Sequence, residues 1–221
     1  MDLGYLIENN IFSTEECDQI IKELDQPINT KRKHAGARHL MSNPRINALA
    51  NDKRLTDIAA KYLGKNICPF RATLFDKSIQ TNWLVTWHQD TALPLEFVFD
   101  SLEWGPWSKK AAINYAHAPT WALSRIIALR IHLDDSTNEN GPLRVIPKSH
   151  RLGVLTDQEV FNYVKTESFV ECLVPKGGVL AMRPLIIHAS SKAKNNQPRR
   201  VLHIEYSDSL ELKQGIKLAI A

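Results

Sequence analysis

Early in the chain the apolar residues recur every three or four positions; beyond about residue 69 they bunch into short runs separated by turn residues. The stretch FSTEECDQIIKEL opens with Ser13 and sets Glu16 three residues later, a pairing in which each side chain satisfies an exposed amide at a helix start. Ile20, Ile21 and Leu24 form one stripe, so a helix is predicted from about 14 to 25. A second helical region opens at NPRINALA, with Asn43 as cap and Pro44 in the first turn. It runs on through RLTDIAAKYLG, where Leu55, Ile58, Ala59 and Tyr62 keep helical spacing until Gly64.

The later runs FRATLF, NWLVTW, RIIALRIHL, LRVIP, FVECLV, GGVLAM, PLIIHAS and RRVLHIEY are rich in β-branched and aromatic residues and read as strands. So many short strands with no helix between them call for an antiparallel β fold, most economically a jelly roll, mainly β with flanking α. One domain is expected over 1–221, with a helical cover at 1–68 on one side of a jelly-roll core at 69–207. Residues 91–125 interrupt the core. PLEF, EWGPW and AHAPTW are too long for a hairpin loop, and Trp104, Trp107 and Trp121 favour an ordered lid over a site. Within that lid His117 is placed to touch a substrate, alongside Trp104 and Trp107.

Composition narrows the class. With 221 residues and 43% hydrophobic content the chain can bury a sizeable core, and no linker or repeat divides it. A net charge of +4 suits an anionic small molecule and is too slight to indicate nucleic acid. The densest basic run, KRKH at 31–34, reads as a solvated turn. Cys17, Cys68 and Cys172 are odd in number and widely spaced, which indicates neither a disulfide framework nor a zinc ribbon and points to a reducing cytoplasm. MDLGYLIENN has no basic start before a long apolar run, so neither a signal peptide nor a membrane span is expected. The expected partner is a small molecule, with no nucleic acid and no membrane.

The chemistry concentrates in NWLVTWHQDT. His88 and Asp90 follow directly on an aromatic, β-branched run and, two apart, share one face of a strand. They are either a hydrogen-bonded pair at a strand end or half of a metal site. Two imidazoles and one carboxylate hold Fe(II) on one face and leave the other positions open, so a third ligand is needed from a neighbouring strand. His188, ending the apolar run RPLIIH a hundred residues on (188 − 88), is the best candidate; its alternative is a satisfied core histidine. Eleven residues later (199 − 188) the next strand opens with arginines that can hold a carboxylate bidentately.

WHQD at 87–90, LDDSTNENGPLRVIPKSH at 133–150 and HASSKAKNNQPRR at 188–200 resemble, in that order, the motifs of the phytanoyl-CoA dioxygenase family. That family comprises Fe(II)- and 2-oxoglutarate-dependent oxygenases on a double-stranded β-helix, or jelly-roll, core. The likeness covers roughly residues 69 to 207. It implies His88, Asp90 and His188 as iron ligands, Arg199 as the partner of the distal carboxylate of 2-oxoglutarate, and Ser190 as a donor to the same end. It implies Fe(II), 2-oxoglutarate and O2 as cofactor and cosubstrates, and hydroxylation of a small organic molecule with release of succinate and CO2. Halogenating relatives carry a small residue in place of the carboxylate, so Asp90 favours hydroxylation. The family name does not specify the substrate, and phytanoyl-CoA itself is not expected of so compact a chain.

Alternation refines these positions. In RRVLHIEY, Arg200 shares the more apolar face with Leu202, Ile204 and Tyr206; if helices cover that face, Arg199 and His203 point into the barrel. In ALRIHLDD, Leu129, Ile131 and Leu133 would likewise meet the helices, leaving Arg130 and His132 inward. Arg130 is then a contact for 2-oxoglutarate or a barrel-rim cation. Thr73 and Lys77 on the first core strand are further candidates for the cosubstrate end, Lys77 being otherwise a solvated turn residue. The competing classes are a non-catalytic jelly-roll binding module, which would tolerate erosion of these residues, and a cupin-type metalloenzyme, which needs no buried arginine.

Overall fold

The longest strands build one sheet, with helices packed on one face and a smaller sheet on the other. The structure is a computed structural model that describes residues 1–25, 36–77 and 81–221; the basic run at 31–34 lies outside the described residues. The large sheet contains β1 (Tyr5–Glu8), β2 (Gly36–Arg38), β3 (Cys68–Lys77), β8 (Ile126–His132), β11 (Val179–Met182) and β13 (Arg199–Ser207), in the order β1-β11-β8-β13-β3-β2. A smaller sheet, β10-β9-β12-β4, faces it and is formed by β4 (Val85–His88), β9 (Leu143–Val145), β10 (Val170–Cys172) and β12 (His188–Ser190). Neighbouring strands within both sheets run antiparallel. The result is the expected jelly roll, with all eight runs read as strands contributing to it.

Three helices cover the outer face of the large sheet: α1 (Thr14–Leu24), α2 (Pro44–Ala50) and α3 (Lys53–Leu63). Ser13 and Glu16 form the reciprocal cap of α1, and Asn43 accepts from Arg45 and Ile46 at the start of α2. The second helical region divides at Asn51–Asp52, because the Asp52 side chain accepts the Arg54 amide and starts α3 afresh. Cys17, Ile20, Ile21, Leu24, Ile46, Leu55 and Ile58 bury against Leu129, Ile131, Leu133, Leu202, Ile204 and Tyr206. The Tyr206 hydroxyl, sealed in this layer, donates to the Ala50 carbonyl at 3.0 Å. Strand β8 is buried on both faces: its odd-numbered residues meet the helices while Ala128, Arg130 and His132 face the barrel interior.

The N-terminal cover departs from the helical expectation. Strands β1 and β2 add to the two margins of the large sheet, β1 pairing Tyr5–Glu8 with β11 and β2 pairing Gly36–Arg38 with β3. Both would otherwise be exposed edges with unpaired backbone groups. A further helix, α5 (Asp157–Val164), sits outside the small sheet; Thr156 and Glu159 give it the same reciprocal cap that marks α1.

Residues 91–125 are an ordered insertion. Strands β5 (Ala92–Leu95), β6 (Trp107–Lys110) and β7 (Ile113–His117) make a three-stranded antiparallel sheet, followed by α4 (Thr120–Leu123). The C-terminal segment lies along β5: the Glu96 amide donates to the Lys217 carbonyl and the Ala219 amide to the Pro94 carbonyl, both at 3.0 Å. Among the described residues no helix is long and apolar enough to cross a membrane.

Leu129 is fully buried between the helices and the sheet, whereas Leu102 lies fully exposed in the insertion. Leu129→Ala is expected to cost about 2–5 kcal/mol in urea-induced unfolding, with Leu102→Ala within about 0.5 kcal/mol of the parent. Equal effects at the two positions would contradict this placement of the core.

Candidate metal centre and cosubstrate pocket

Two histidines a hundred residues apart meet because β4 and β12 are antiparallel neighbours with His88 paired directly to His188. Their rings lie 4.2 Å apart between centroids. Asp90 follows β4 by two residues, and its amide donates to the Pro184 carbonyl at 3.0 Å, which ties the strand end to the loop before β12. The Asp90 carboxylate bridges the pair, with Oδ1 3.6 Å from His88 Nε2 and Oδ2 3.5 Å from His188 Nε2. One ligand atom from each residue lies within 4.8 Å of the others, the cluster expected of three protein ligands around one ion.

The second nitrogen of each ring settles how the first is used. His88 Nδ1 is 2.8 Å from the Thr86 carbonyl and His188 Nδ1 is 2.9 Å from the Ile186 carbonyl. A carbonyl only accepts, so both Nδ1 atoms carry the proton and donate, leaving the Nε2 lone pairs turned toward Asp90. Burial pushes the His188 imidazole down to about 4 despite the Asp90 charge, so it is neutral at ordinary pH. Burial would raise the Asp90 carboxyl, but the facing histidines outweigh it and hold the group well below the usual range. Burial would lower the His88 imidazole, but Asp90 outweighs it and raises it, so a metal ion entering the site displaces a proton there; neutral imidazoles with an ionised carboxylate are the forms that bind Fe(II), and this donor set fits that ion.

A pocket extends from the three ligands between the sheets, and its far end is cationic. Phe75, Val85 and Leu143 form its sides, and Lys77 and Arg199 face Ser190 at its end. Lys77 is 1% exposed, so it is no turn residue; Nζ donates to Ser190 Oγ at 2.9 Å and to the Ser191 carbonyl at 2.5 Å. Arg199 donates through Nη2 to Ser190 Oγ and through Nε to the Asn140 carbonyl, both at 3.3 Å, while its buried Nη1 has no partner. Ser190 gives its proton to the Gly141 carbonyl at 2.9 Å. Its oxygen therefore holds the two cations in place at the end of the pocket. Burial, with the Arg199 charge, pushes the Lys77 ammonium down to about 7, and burial with Arg130 pushes Arg199 to about 9. Both shifts report positive charge crowded away from water without an anion to meet it.

The remaining sequence candidates divide. Arg130 lines the same pocket, with Nη1 3.1 Å from His203 Nδ1, and is a buried interior cation, not one at the rim. Thr73 does not reach the cosubstrate end. It shares a face with Lys77 on β3, but four residues of strand span about 13 Å, and Thr73 lines a larger cavity on the opposite side of Phe75. His117 lines that larger cavity, with Nδ1 2.6 Å from Thr91 Oγ1. Trp104 and Trp107 line neither space. Trp104 is buried with Leu93, Leu95 and Leu123 and meets Phe99 and Trp121 edge-on at 5.7 and 6.0 Å; Trp107 meets Phe99 at 5.3 Å. Those indoles hold the insertion together because β5–β7 has no other core of its own.

Gln89 is committed as well: its amide donates to the Gly153 and Leu185 carbonyls and its oxygen accepts from the Leu155 amide. Arg71 and Glu205, which sequence reading passed over, line the larger cavity and are ion-paired to each other. Alternation carried two residues beyond His203 and two before Thr73 is the signal that points to them.

A family model described as phytanoyl-CoA dioxygenase matches residues 2–201. The chain belongs to the phytanoyl-CoA dioxygenase family. L-proline trans-4-hydroxylase from Streptomyces griseoviridis is 30% identical over 128 residues, which are 46% of this chain and 47% of that protein, about half the relative's length. The structure of EctD from S. alaskensis with 2-oxoglutarate and 5-hydroxyectoine superposes with a TM-score of 0.69 at 21% identity, covering 93% of this chain and 72% of that one. HygX from Streptomyces hygroscopicus, with nickel and 2-oxoglutarate bound, gives 0.67 at 14% identity over 93% and 83% of the two chains. The structural likenesses show a shared fold.

The Lys77 ammonium, held near 7, gives the pocket a pH dependence. A dianion bound beside it stabilises the charged form, so binding takes up a proton once the free pocket has lost it. The affinity for 2-oxoglutarate, measured anaerobically on the Mn(II)-loaded protein, should weaken by up to about tenfold per pH unit above 7. Lys77→Met should flatten that profile; an equally steep profile in the variant would remove Lys77 from the site.

Proposed function

We propose that this protein is a non-haem Fe(II)- and 2-oxoglutarate-dependent dioxygenase that hydroxylates a small organic molecule. One observation carries the reading: a single pocket has His88, Asp90 and His188 at one end and the unneutralised Lys77 and Arg199 at the other. That polarity matches a dicarboxylate whose near end meets the metal and whose far carboxylate meets two cations. A cupin-type metalloenzyme would share the three ligands, but the buried, partner-poor Arg199 would then be a cost with no return. The family membership, the hydroxylase relative and the fold support the same reading.

His88, Asp90 and His188 would hold the iron, with their protonated Nδ1 atoms keeping both rings oriented. Bound iron and 2-oxoglutarate would supply the oxidising chemistry: O2 and 2-oxoglutarate are consumed, succinate and CO2 leave, and one oxygen atom enters a C–H bond of the substrate. Arg199 and Lys77 would fix the cosubstrate's far end, and Ser190 keeps both cations aimed at it. Asp90 borders both the cosubstrate pocket and the larger cavity, so a substrate held in that cavity lies next to the metal ligands. The free thiols of Cys17, Cys68 and Cys172 support a reducing compartment such as the cytoplasm.

Anaerobic titration with Fe(II) and then 2-oxoglutarate should produce a weak visible charge-transfer band. His188→Ala should abolish both iron binding and the band. Arg199→Ala should keep iron binding and weaken 2-oxoglutarate binding by about 10- to 100-fold, the loss of one or two charge-assisted hydrogen bonds. Tight iron binding with no band would favour the cupin-type chemistry instead, and no iron binding at all would leave a binding module.

A further inference from the structure

The larger cavity, about 230 Å³ in volume, carries two features that neither iron nor 2-oxoglutarate uses. The first is on its inner wall. Glu205 is 2% exposed, and its Oε1 accepts from Arg71 and from His203 Nε2, the latter at 3.1 Å. The histidine's role is fixed by its other side: Arg130 can only donate to Nδ1, so Nε2 bears the proton and donates to Glu205. Glu205 Oε2, equally buried, has no partner. Burial would raise this carboxyl, but Arg71 and His203 outweigh it and keep it ionised. Glu205 lines the cavity, and an ionised carboxylate short of a donor favours a cationic group beside it.

The second feature is at the mouth. Arg38 and Lys110 line the cavity there, and among the described residues no carboxylate lies within ion-pair distance of either. The Lys110 ammonium sits 5.2 Å from the centroid of the Tyr115 ring. Burial, then the charges of Arg38 and Arg71, lower its pKa, so the rim is positive charge packed against positive charge. Arg71 is already spent on Glu205 and the Ala92 carbonyl, and offers little to a ligand.

Resting on the oxygenase reading, we propose that the substrate is a zwitterion of amino-acid size, its carboxylate held by Arg38 and Lys110 and its ammonium drawn to the Glu205 carboxylate. A purely anionic molecule would satisfy the rim and face the bare carboxylate within. A neutral apolar one would leave both ends unmet. The enclosed space, below the roughly 300 Å³ at which drug-sized sites begin, suits a reacting portion of amino-acid size. A polyol acid could offer hydroxyl donors to Glu205, but an ionised acceptor gains most from a charged donor.

The test uses the Fe(II)-loaded enzyme with 2-oxoglutarate and O2, and reads succinate formation. The probes are the common amino and imino acids, each with its decarboxylated amine and its deaminated acid; L-proline, pyrrolidine and cyclopentanecarboxylate form one such trio. Stimulation confined to zwitterions is expected. Arg38→Gln and Lys110→Gln should each raise KM for the best zwitterion by about 10- to 100-fold, more than they lower kcat, and Glu205→Gln should do the same for its ammonium end. All three should retain the Fe(II)–2-oxoglutarate band. Should Glu205→Gln fail to fold, the two exposed rim variants still decide the matter. If the wild-type band forms but amines, simple acids or hydroxy acids stimulate as well as zwitterions, or no zwitterion stimulates, the substrate assignment is wrong and the oxygenase reading stands. Absence of the wild-type band removes the oxygenase reading itself.

Discussion

The pairing of β4 with β12 is the contact on which the rest depends. It places His88 opposite His188 and fixes a 4.2 Å separation between rings that are far apart in sequence. A slip of one residue would turn one ring to the far side of the small sheet, because side chains alternate faces. The register is held from outside the site: Ile187 packs with Ile146 and Val160 on the outer face, where α5 lies, while His188 takes the inner one. The metal-facing nitrogens follow from the same backbone, since the Thr86 and Ile186 carbonyls dictate which atom of each ring bears hydrogen.

Charge imbalance is the other organising constraint. Lys77, Arg130 and Arg199 crowd the interior, where the nearest anions are Asp90, shared with two histidines, and Glu205, shared with Arg71 and His203. Burying cations this way is unfavourable to folding unless a ligand neutralises them, so the barrel stores part of its binding energy as electrostatic stress. The rim of the larger cavity repeats the theme at lower density, with its cations better solvated.

The insertion shows how aromatic residues can mislead. Tryptophans at the edge of a jelly roll suggest a substrate wall, yet Trp104, Trp107 and Trp121 close a small hydrophobic core between β5–β7 and the C-terminal segment. A three-stranded sheet with solvent on one side cannot stand without such a core. The residues that do face the cavity from β6 and β7, Lys110, Tyr115 and His117, are polar or amphipathic, as a solvated wall requires.

Much of the fold was legible from local pattern: the capped helices, the eight short strands, and the face of β8 and β13 that meets the helices all follow from periodicity and capping, which are properties of neighbouring residues. The candidates His88, Asp90, His188 and Arg199 came from the resemblance of three motifs, with strand spacing and alternation agreeing, and the fold brings the first three together. What periodicity could not supply was position along the barrel axis and the partner of each inward side chain. Thr73 and Lys77 share a face and serve different cavities; Ser190 spends its proton on Gly141; Glu205 is left with one bare oxygen. β1 and β2 escaped notice because three or four residues carry too little pattern to mark a strand, and only the open margins of the large sheet make them one. Those outcomes depend on contacts between residues distant in sequence, so only the packing of the two sheets decided them.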